Sequence, residues 1–281
     1  MTAPIRVTVL GPTGRLGSAI CHALLDSPDF RIAGAVVRAE SPVSGEDIGI
    51  WLGRDPIDCR AETSLEHAVE TADIVLDASL PGMTVAAAER LASLGGPSLI
   101  TGVTGFTREQ SERLTACTDR LPVLMAGNFS LGVAVTEALV REAARLPATD
   151  WDIEVHETHH RRKADAPSGT ALMLARAAAA SRGDSLESLA TWSREGVTGP
   201  RKPGSIGFAV SRGGSVVGEH SVRFLAELEE ITISHRALDR SIFARGALAA
   251  AQWMANDGQG RAAGGYTMQD VVSGQDGSTT A

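Results

Sequence analysis

The sequence predicts an α/β chain in two parts: a parallel sheet covered by helices, followed by a second region with an antiparallel or mixed sheet. Three observations carry this. Strand-like and helix-like patterns alternate over the first 126 residues, a glycine-rich turn joins the first strand to the first helix, and the texture changes after Asn128. Length agrees, since 281 residues at about 150 per domain suggest roughly two domains.

Ile5 to Leu10 is apolar and bounded by Pro4 and Gly11, the pattern of a buried first strand. Gly14 to Leu25 carries Leu16, Ile20, Ala23 and Leu24 at helical spacing. Ile32 to Val37 reads as a second strand, Ala72 to Ser79 as a third, Pro97 to Thr101 as a fourth and Val123 to Ala126 as a fifth, with a helical stretch around Thr84 to Ala92. Beyond Asn128, Leu131 to Leu146 is an amphipathic helix, Trp151 to His156 a strand, and Ser168 to Ala180 an alanine-rich helix. Short alternating strands follow from Ile206 to His235, with Gly213-Gly214 as a turn signal, then a helix from about Asp239 to Ala255. The expected units are 1–130 with 240–272, and 131–239; the small-residue tail 273–281 is expected to be disordered.

Composition excludes several classes. With 43% hydrophobic and 21% charged residues the chain is globular, neither disordered nor fibrous. A net charge of −8 argues against general nucleic-acid or membrane-surface binding, both of which need a basic face. Cys21, Cys59 and Cys117 are scattered and odd in number, so neither a disulfide framework nor a cysteine-rich metal site is expected. There is no signal-peptide pattern and no apolar run of about 18 residues, so a cytoplasmic protein is expected.

Gly11-Pro12-Thr13-Gly14-Arg15-Leu16-Gly17 stands where strand meets helix. Glycines there allow a tight turn and close approach of a pyrophosphate, and the helix N-terminus offers oriented N–H groups, so a dinucleotide is the expected ligand. The second strand ends Val36-Val37-Arg38, without the acid that holds the ribose of NAD; Arg38 can pair with a 2′-phosphate instead. NADPH is therefore expected ahead of NADH.

The segment Glu154 to Thr170 concentrates His156, His159, His160, Arg161, Arg162 and Lys163 in an acidic protein, and Lys163 is one of only two lysines. Asp165-Ala-Pro-Ser168-Gly169-Thr170 then opens a helix whose amides and hydroxyls can cradle a carboxylate beside the cationic loop. Together they make a binding site for a small dianion, with histidines able to donate a proton near neutral pH. His156-Glu157-Thr158-His159-His160 also matches H-E-x-x-H, but that zinc motif works only on a helix, and Trp151 to His156 alternates as a strand. No metal is expected.

These residues resemble the dihydrodipicolinate reductase family. The resemblance rests on GPTGRLG (Gly11–Gly17), GVTGF (Gly102–Phe106), AGNFSLGV (Ala126–Val133) and ETHHRRKADAPSGTA (Glu157–Ala171), continuing through GEHSVRF (Gly218–Phe224) and ITISHRALDRSIFARGAL (Ile231–Leu248). It implies a Rossmann-type cofactor domain, and an α+β substrate domain whose open mixed sheet joins subunits into a homotetramer. It also implies NADH- or NADPH-dependent reduction of a cyclic imine dicarboxylate in lysine and diaminopimelate biosynthesis. His159 would be the general acid and Lys163 a second proton donor and carboxylate partner, with His160, Ser168, Gly169 and Thr170 at the substrate. Gly11 to Leu16, Gly102, Val103, Thr104 and Ala126, Gly127, Asn128, Phe129 would line the cofactor, with Arg38 at its ribose. Val103 stands where the family has threonine, and Ser79 to Thr84 departs from its FTxPExT pattern. A relative acting on another cyclic imine acid, or a non-catalytic nucleotide-binding module, are the alternatives.

Overall fold

The computed structural model describes residues 3–274. Two compact units divide the chain: one takes it through Ser130 and again from Ser241, the other is Leu131–Arg240.

The first unit opens with β1 (Ile5–Leu10), α1 (Arg15–Leu25) and β2 (Phe30–Val36), then α2 (Ile48–Trp51), β3 (Ala61–Glu62) and α3 (Leu65–Val69). It continues as β4 (Ile74–Asp77), α4 (Pro81–Leu94), β5 (Ser98–Thr101), α5 (Arg108–Cys117) and β6 (Pro122–Met125). The second unit holds α6 (Leu131–Ala143), β7 (Asp152–His159), α7 (Gly169–Ser181), α8 (Leu186–Leu189), β8 (Ala190–Thr191), β9 (Ile206–Arg212), β10 (Gly218–Leu225) and β11 (Glu230–Ala237). The chain then returns to the first unit with α9 (Ser241–Ala255), β12 (Gly264–Tyr266) and α10 (Met268–Ser273).

The first sheet is wholly parallel, in the order β12-β6-β5-β4-β1-β2-β3. Its central strands are buried on both faces: every residue of β4 and β5, and Val7 to Leu10 of β1, is buried, Thr8, Asp77, Ser98 and Thr101 included. Sequence direction reverses between β1 and β4, and ligands of open α/β sheets bind outside the carboxyl ends of the strands at such a point. The strand predicted third is β4, because the two-residue β3 is too short to show a period. α5 went unread for a different reason: it buries only Leu114 and Cys117 and is fixed by a Thr107–Gln110 capping box. Of the tail expected to be disordered from 273, Ser273 belongs to α10 and Gly274 caps it in the left-handed conformation; the remaining residues of that tail lie outside the described residues. Cys21, Cys59 and Cys117 are free and buried.

The second sheet is mixed, in the order β11-β10-β7-β9-β8. One face of β7 buries Ile153, Val155, Glu157 and His159, and one face of β10 buries Gly218, His220, Val222 and Phe224. The apolar members pack with Ala171, Leu174, Ala175 and Ala178 of α7 and with Val140 of α6. On the opposite face stand polar, part-exposed residues, among them Glu154, His156, Thr158, Glu219 and Ser221. Gly213-Gly214 does not close a hairpin between adjacent strands, because β7 lies between β9 and β10. The loop crosses the end of β7 instead, where Gly213 N–H donates to the His159 carbonyl and His160 N–H to that of Val216.

Candidate active site

In the first unit the expected cofactor residues gather at the carboxyl ends of the parallel strands. Gly11 leaves β1 at φ +74°, and a Cβ on Gly17 would lie 2.1 Å from the Gly11 carbonyl oxygen, so α1 packs on the turn only because Gly17 has no side chain. α1 starts at a glycine N-cap, Gly14, with no side chain accepting its first amides, while Thr13, Gly14 and Arg15 are exposed and Pro12 is buried. An uncapped helix start behind a glycine turn, at the switch point of a parallel sheet, fits a pyrophosphate.

Next to it, the wholly buried Asp77 ends β4 and organises two neighbouring loops. It accepts from Ser79 N at 2.9 Å, Thr84 Oγ1 at 2.6 Å and Thr101 Oγ1 at 2.9 Å. Thr101 Oγ1 accepts in turn from Val103 N, so Asp77 sets the course of Gly102, Val103 and Thr104 as well as Ser79 to Thr84. Phe129 and Leu16 both close on Gly102, where an added Cβ would meet their side chains at 2.4 and 3.2 Å, and Asn128 accepts from Ser130 N. Ala126 is buried and Gly127 exposed. Val37 is buried at the end of β2, and the exposed Arg38 makes no ion pair among the described residues.

In the second unit β7 runs on through His159, three residues beyond the strand expected from the sequence. Strand alternation therefore puts Glu157 and His159 on the same buried face as Ile153 and Val155, with His156 on the other. The H-E-x-x-H residues lie along a strand and off its end, not on one helix face, and no group of three or more metal-ligating side chains converges among the described residues.

Glu157 is the centre of this site. His159 Nδ1 donates to its Oε2 at 2.5 Å and Ser168 N to its Oε1 at 2.9 Å, while Arg212, register partner of His159 on β9, forks across both oxygens at 2.8 and 2.9 Å. Burial acts to raise the carboxyl's pKa, but Arg212, His159 and the Ser168 amide together outweigh it and hold Glu157 below the usual range, hence ionised.

Ser168 is buried and caps α7 by accepting from Ala171 N at 3.1 Å. Its hydroxyl lies 3.0 Å from Nε2 of His220, whose ring stands edge-on to that of His159 with centroids 5.0 Å apart. Burial, reinforced by the neighbouring His159, pushes His220 down to about 4, so it is a neutral ring that shares this hydrogen bond with the Ser168 hydroxyl. With its amide on Glu157 and its hydroxyl on His220, Ser168 faces inward. The hydroxyl expected at the substrate has these two protein partners, the Ala171 amide and His220.

Gly169 is exposed with open space where a Cβ would sit, and Thr170 follows it in the first turn of α7. Lys163 pairs with Asp165 at 2.9 Å. His160 Nε2 accepts from Arg240 at 3.0 Å, leaving Nδ1 without a protein partner; burial first, then Arg240 and Arg162, lower its pKa. Gly218 gives His159 its clearance, since a Cβ there would stand 3.0 Å from Nε2. His159, His160, Lys163, Ser168, Gly169 and Thr170 thus share one region of this unit. Arg212, Gly218, His220 and Arg240 join them there without having been read from the sequence. Gly218, His220 and Arg240 lie in segments that carry the family resemblance, but neither that nor strand alternation, which fixes a face and not a register, assigned them to the site.

Comparison with known proteins places this geometry. Residues 5–129 match the family described as dihydrodipicolinate reductase, N-terminus, and residues 132–272 its C-terminus. A curated 4-hydroxy-tetrahydrodipicolinate reductase of Caulobacter vibrioides is 47% identical, covering 97% of this chain and 98% of its own. That of Parvibaculum lavamentivorans is 44% identical, covering 97% and 99%. A dipicolinate-bound dihydrodipicolinate reductase from Paenisporosarcina sp. TG-14 shares the fold with a TM-score of 0.73 at 21% identity, over 94% of this chain and 97% of that one. Two matched halves and relatives aligned nearly end to end leave one conclusion: the chain belongs to the dihydrodipicolinate reductase family.

Proposed function

We propose that the protein reduces 4-hydroxy-tetrahydrodipicolinate to tetrahydrodipicolinate with a nicotinamide cofactor, a step of lysine and diaminopimelate biosynthesis. The family and its parallel sheet imply that cofactor. The observation that carries the reading is His159, an imidazole braced on a buried ionised carboxylate beside Lys163 and the opening of α7.

Loss of the 4-hydroxyl as water turns the substrate into a conjugated cyclic imine, and the nicotinamide, when bound, would supply the hydride that adds to that conjugated system. The chain's own groups handle charge and proton. His159, engaged through Nδ1, has Nε2 to deliver the proton that quenches the developing negative charge. Lys163 exchanges Asp165 for a substrate carboxylate and acts as the second donor. The unpartnered Nδ1–H of His160 and the turn at Gly169 and Thr170 receive the dicarboxylate, with Ser168 holding that turn from behind. NADPH is the preferred cofactor in this reading, supported by the missing acid at Val37 and by Arg38, exposed and without an ion pair among the described residues. The part-exposed polar face of the second sheet is the subunit contact of a homotetramer, which light scattering on the purified protein tests.

The experiment is a coupled assay in which dihydrodipicolinate synthase generates substrate and cofactor oxidation is followed at 340 nm. Turnover with a lower KM for NADPH than NADH is expected. A folded sample that oxidises neither cofactor overturns the reading, and His159→Gln should lower kcat by about 10²- to 10⁴-fold.

A further inference from the structure

We infer that Glu157 is the positioning residue of this site, one carboxylate that fixes the proton donor and the anion-receiving turn to each other. The inference rests on the reductase reading and adds a residue to it. Its basis is an asymmetric use of two oxygens: Oε2 takes the Nδ1 proton of His159, and Oε1 takes the Ser168 amide that starts α7. A helix N-cap and a strand histidine have no reason in packing to share a carboxylate. An apolar residue would fill the same place, as Val155 and Ile153 do two and four positions earlier on the same face.

Burying this charge is tolerable only because Arg212 neutralises it through two parallel bonds. The same guanidinium donates to the Asp165 carbonyl, which extends the brace to the loop that presents Lys163. The arrangement has three consequences. His159 is held as the Nδ1–H tautomer when neutral, so the nitrogen at the Gly218 clearance is the one that gains and gives the proton. The imidazolium has an anion at its back, and the first turn of α7 cannot shift without moving the acid. The charged and titratable groups around His159 are Glu157 on its own strand, Arg212 on β9, His220 on β10, and His160, Lys163 and Asp165 in the following loop. Of these only Glu157 touches Nδ1.

The test has one arm without variants. In wild-type protein labelled with 15N-histidine, His159 should show a protonated Nδ1 at every pH, with Nε2 alone titrating. A neutral ring protonated at Nε2 and bare at Nδ1 overturns the inference, whether or not the protein turns over substrate. In the second arm Glu157→Gln keeps the shape but not the charge. We expect kcat to fall about tenfold to a hundredfold, the basic limb of the kcat–pH profile to move to lower pH by about one unit, and the apparent affinity for pyridine-2,6-dicarboxylate to weaken. The Kd for NADPH should stay within about twofold, because the glycine turn belongs to the other unit. Unchanged kcat with an unmoved profile in folded Glu157→Gln overturns the positioning role. Absence of wild-type turnover would overturn the reductase reading alone, with the NMR arm standing.

Discussion

Two carboxylates are fully buried among the described residues, one in each unit, and they are held in opposite ways. Asp77, at the end of β4, is surrounded by neutral donors, the Ser79, Thr84 and Thr101 hydroxyls and the Ser79 amide. Glu157, near the end of β7, faces a guanidinium and an imidazole. Hydroxyls and amides do not titrate near neutral pH, so the first arrangement can only set the course of loops. An imidazole does titrate, so the second ties loop geometry to a proton. One unit thus builds its candidate site from backbone and fixed dipoles, as suits a pyrophosphate. The other builds it from charges, as suits a reacting dicarboxylate.

Removing the cation gives the largest expected effect. Arg212→Met strips Glu157 of its counter-charge in a place water does not reach, and such losses cost about 3–5 kcal/mol. Urea unfolding should show this as a lowered midpoint, and the double variant Arg212→Met, Glu157→Leu should recover much of it. Failure of that rescue would mean that Arg212 supports the fold through the Asp165 carbonyl rather than through the carboxylate.

The second effect is pH-dependent and belongs to the charged site alone. His220 has its folded value near 4 against 6.5 in a free chain, so between those values the unfolded state binds a proton that the folded state does not. Stability therefore falls as pH drops from 6.5 towards 4, by about 3 kcal/mol at most. Glu157 acts in a separate window: its depressed pKa contributes stability above 4.5 that is lost as pH falls through the folded value. Denaturant midpoints from pH 7 to 4.5 should decline in the wild type and decline less in His220→Gln.

The neutral site should respond more weakly. In Asp77→Asn the amide oxygen still accepts, and the hydroxyls can rotate to receive its N–H groups, so about 1–2 kcal/mol is expected. NADPH affinity should weaken as the Gly102–Thr104 loop loosens, with the shape of the kcat–pH profile unchanged. A shifted profile would erase the distinction between the two carboxylates.

The same contrast explains what was legible in the sequence. The glycine motif is seven consecutive residues, a turn and the first residues of α1, so neighbours in sequence are neighbours in space. The stretch from Glu157 to Thr170 is contiguous too, and its histidines, lysine and helix start were all read. What escaped was everything supplied by strand pairing: Arg212 arrives because β9 lies parallel to β7 in the register His159↔Arg212, and His220 because β10 runs antiparallel in the register Glu157↔His220. Register and strand order are global properties, and the Gly213-Gly214 turn pointed to a hairpin that the insertion of β7 between β9 and β10 replaces. Glu157 was in plain view within the motif, but a glutamate on a strand ordinarily faces water. Only its partners reveal that it does not.

Ser168 gives the smallest effect and the finest discrimination. Ser168→Ala removes the cap on the Ala171 amide and the hydrogen bond with His220, a loss of about 1 kcal/mol by analogy with other N-caps. The bond from its main-chain amide to Glu157 does not depend on the side chain and survives. If the hydroxyl faces inward as its partners indicate, KM for the dicarboxylate should change by less than about threefold while the thermal midpoint drops. A tenfold rise in KM without loss of stability would instead return that hydroxyl to the ligand, and would require His220 to find another partner in the bound state. Ser168→Thr separates the two outcomes further. It keeps the cap and the hydroxyl for His220 but adds a methyl group at a buried position, so it should lower stability without touching KM.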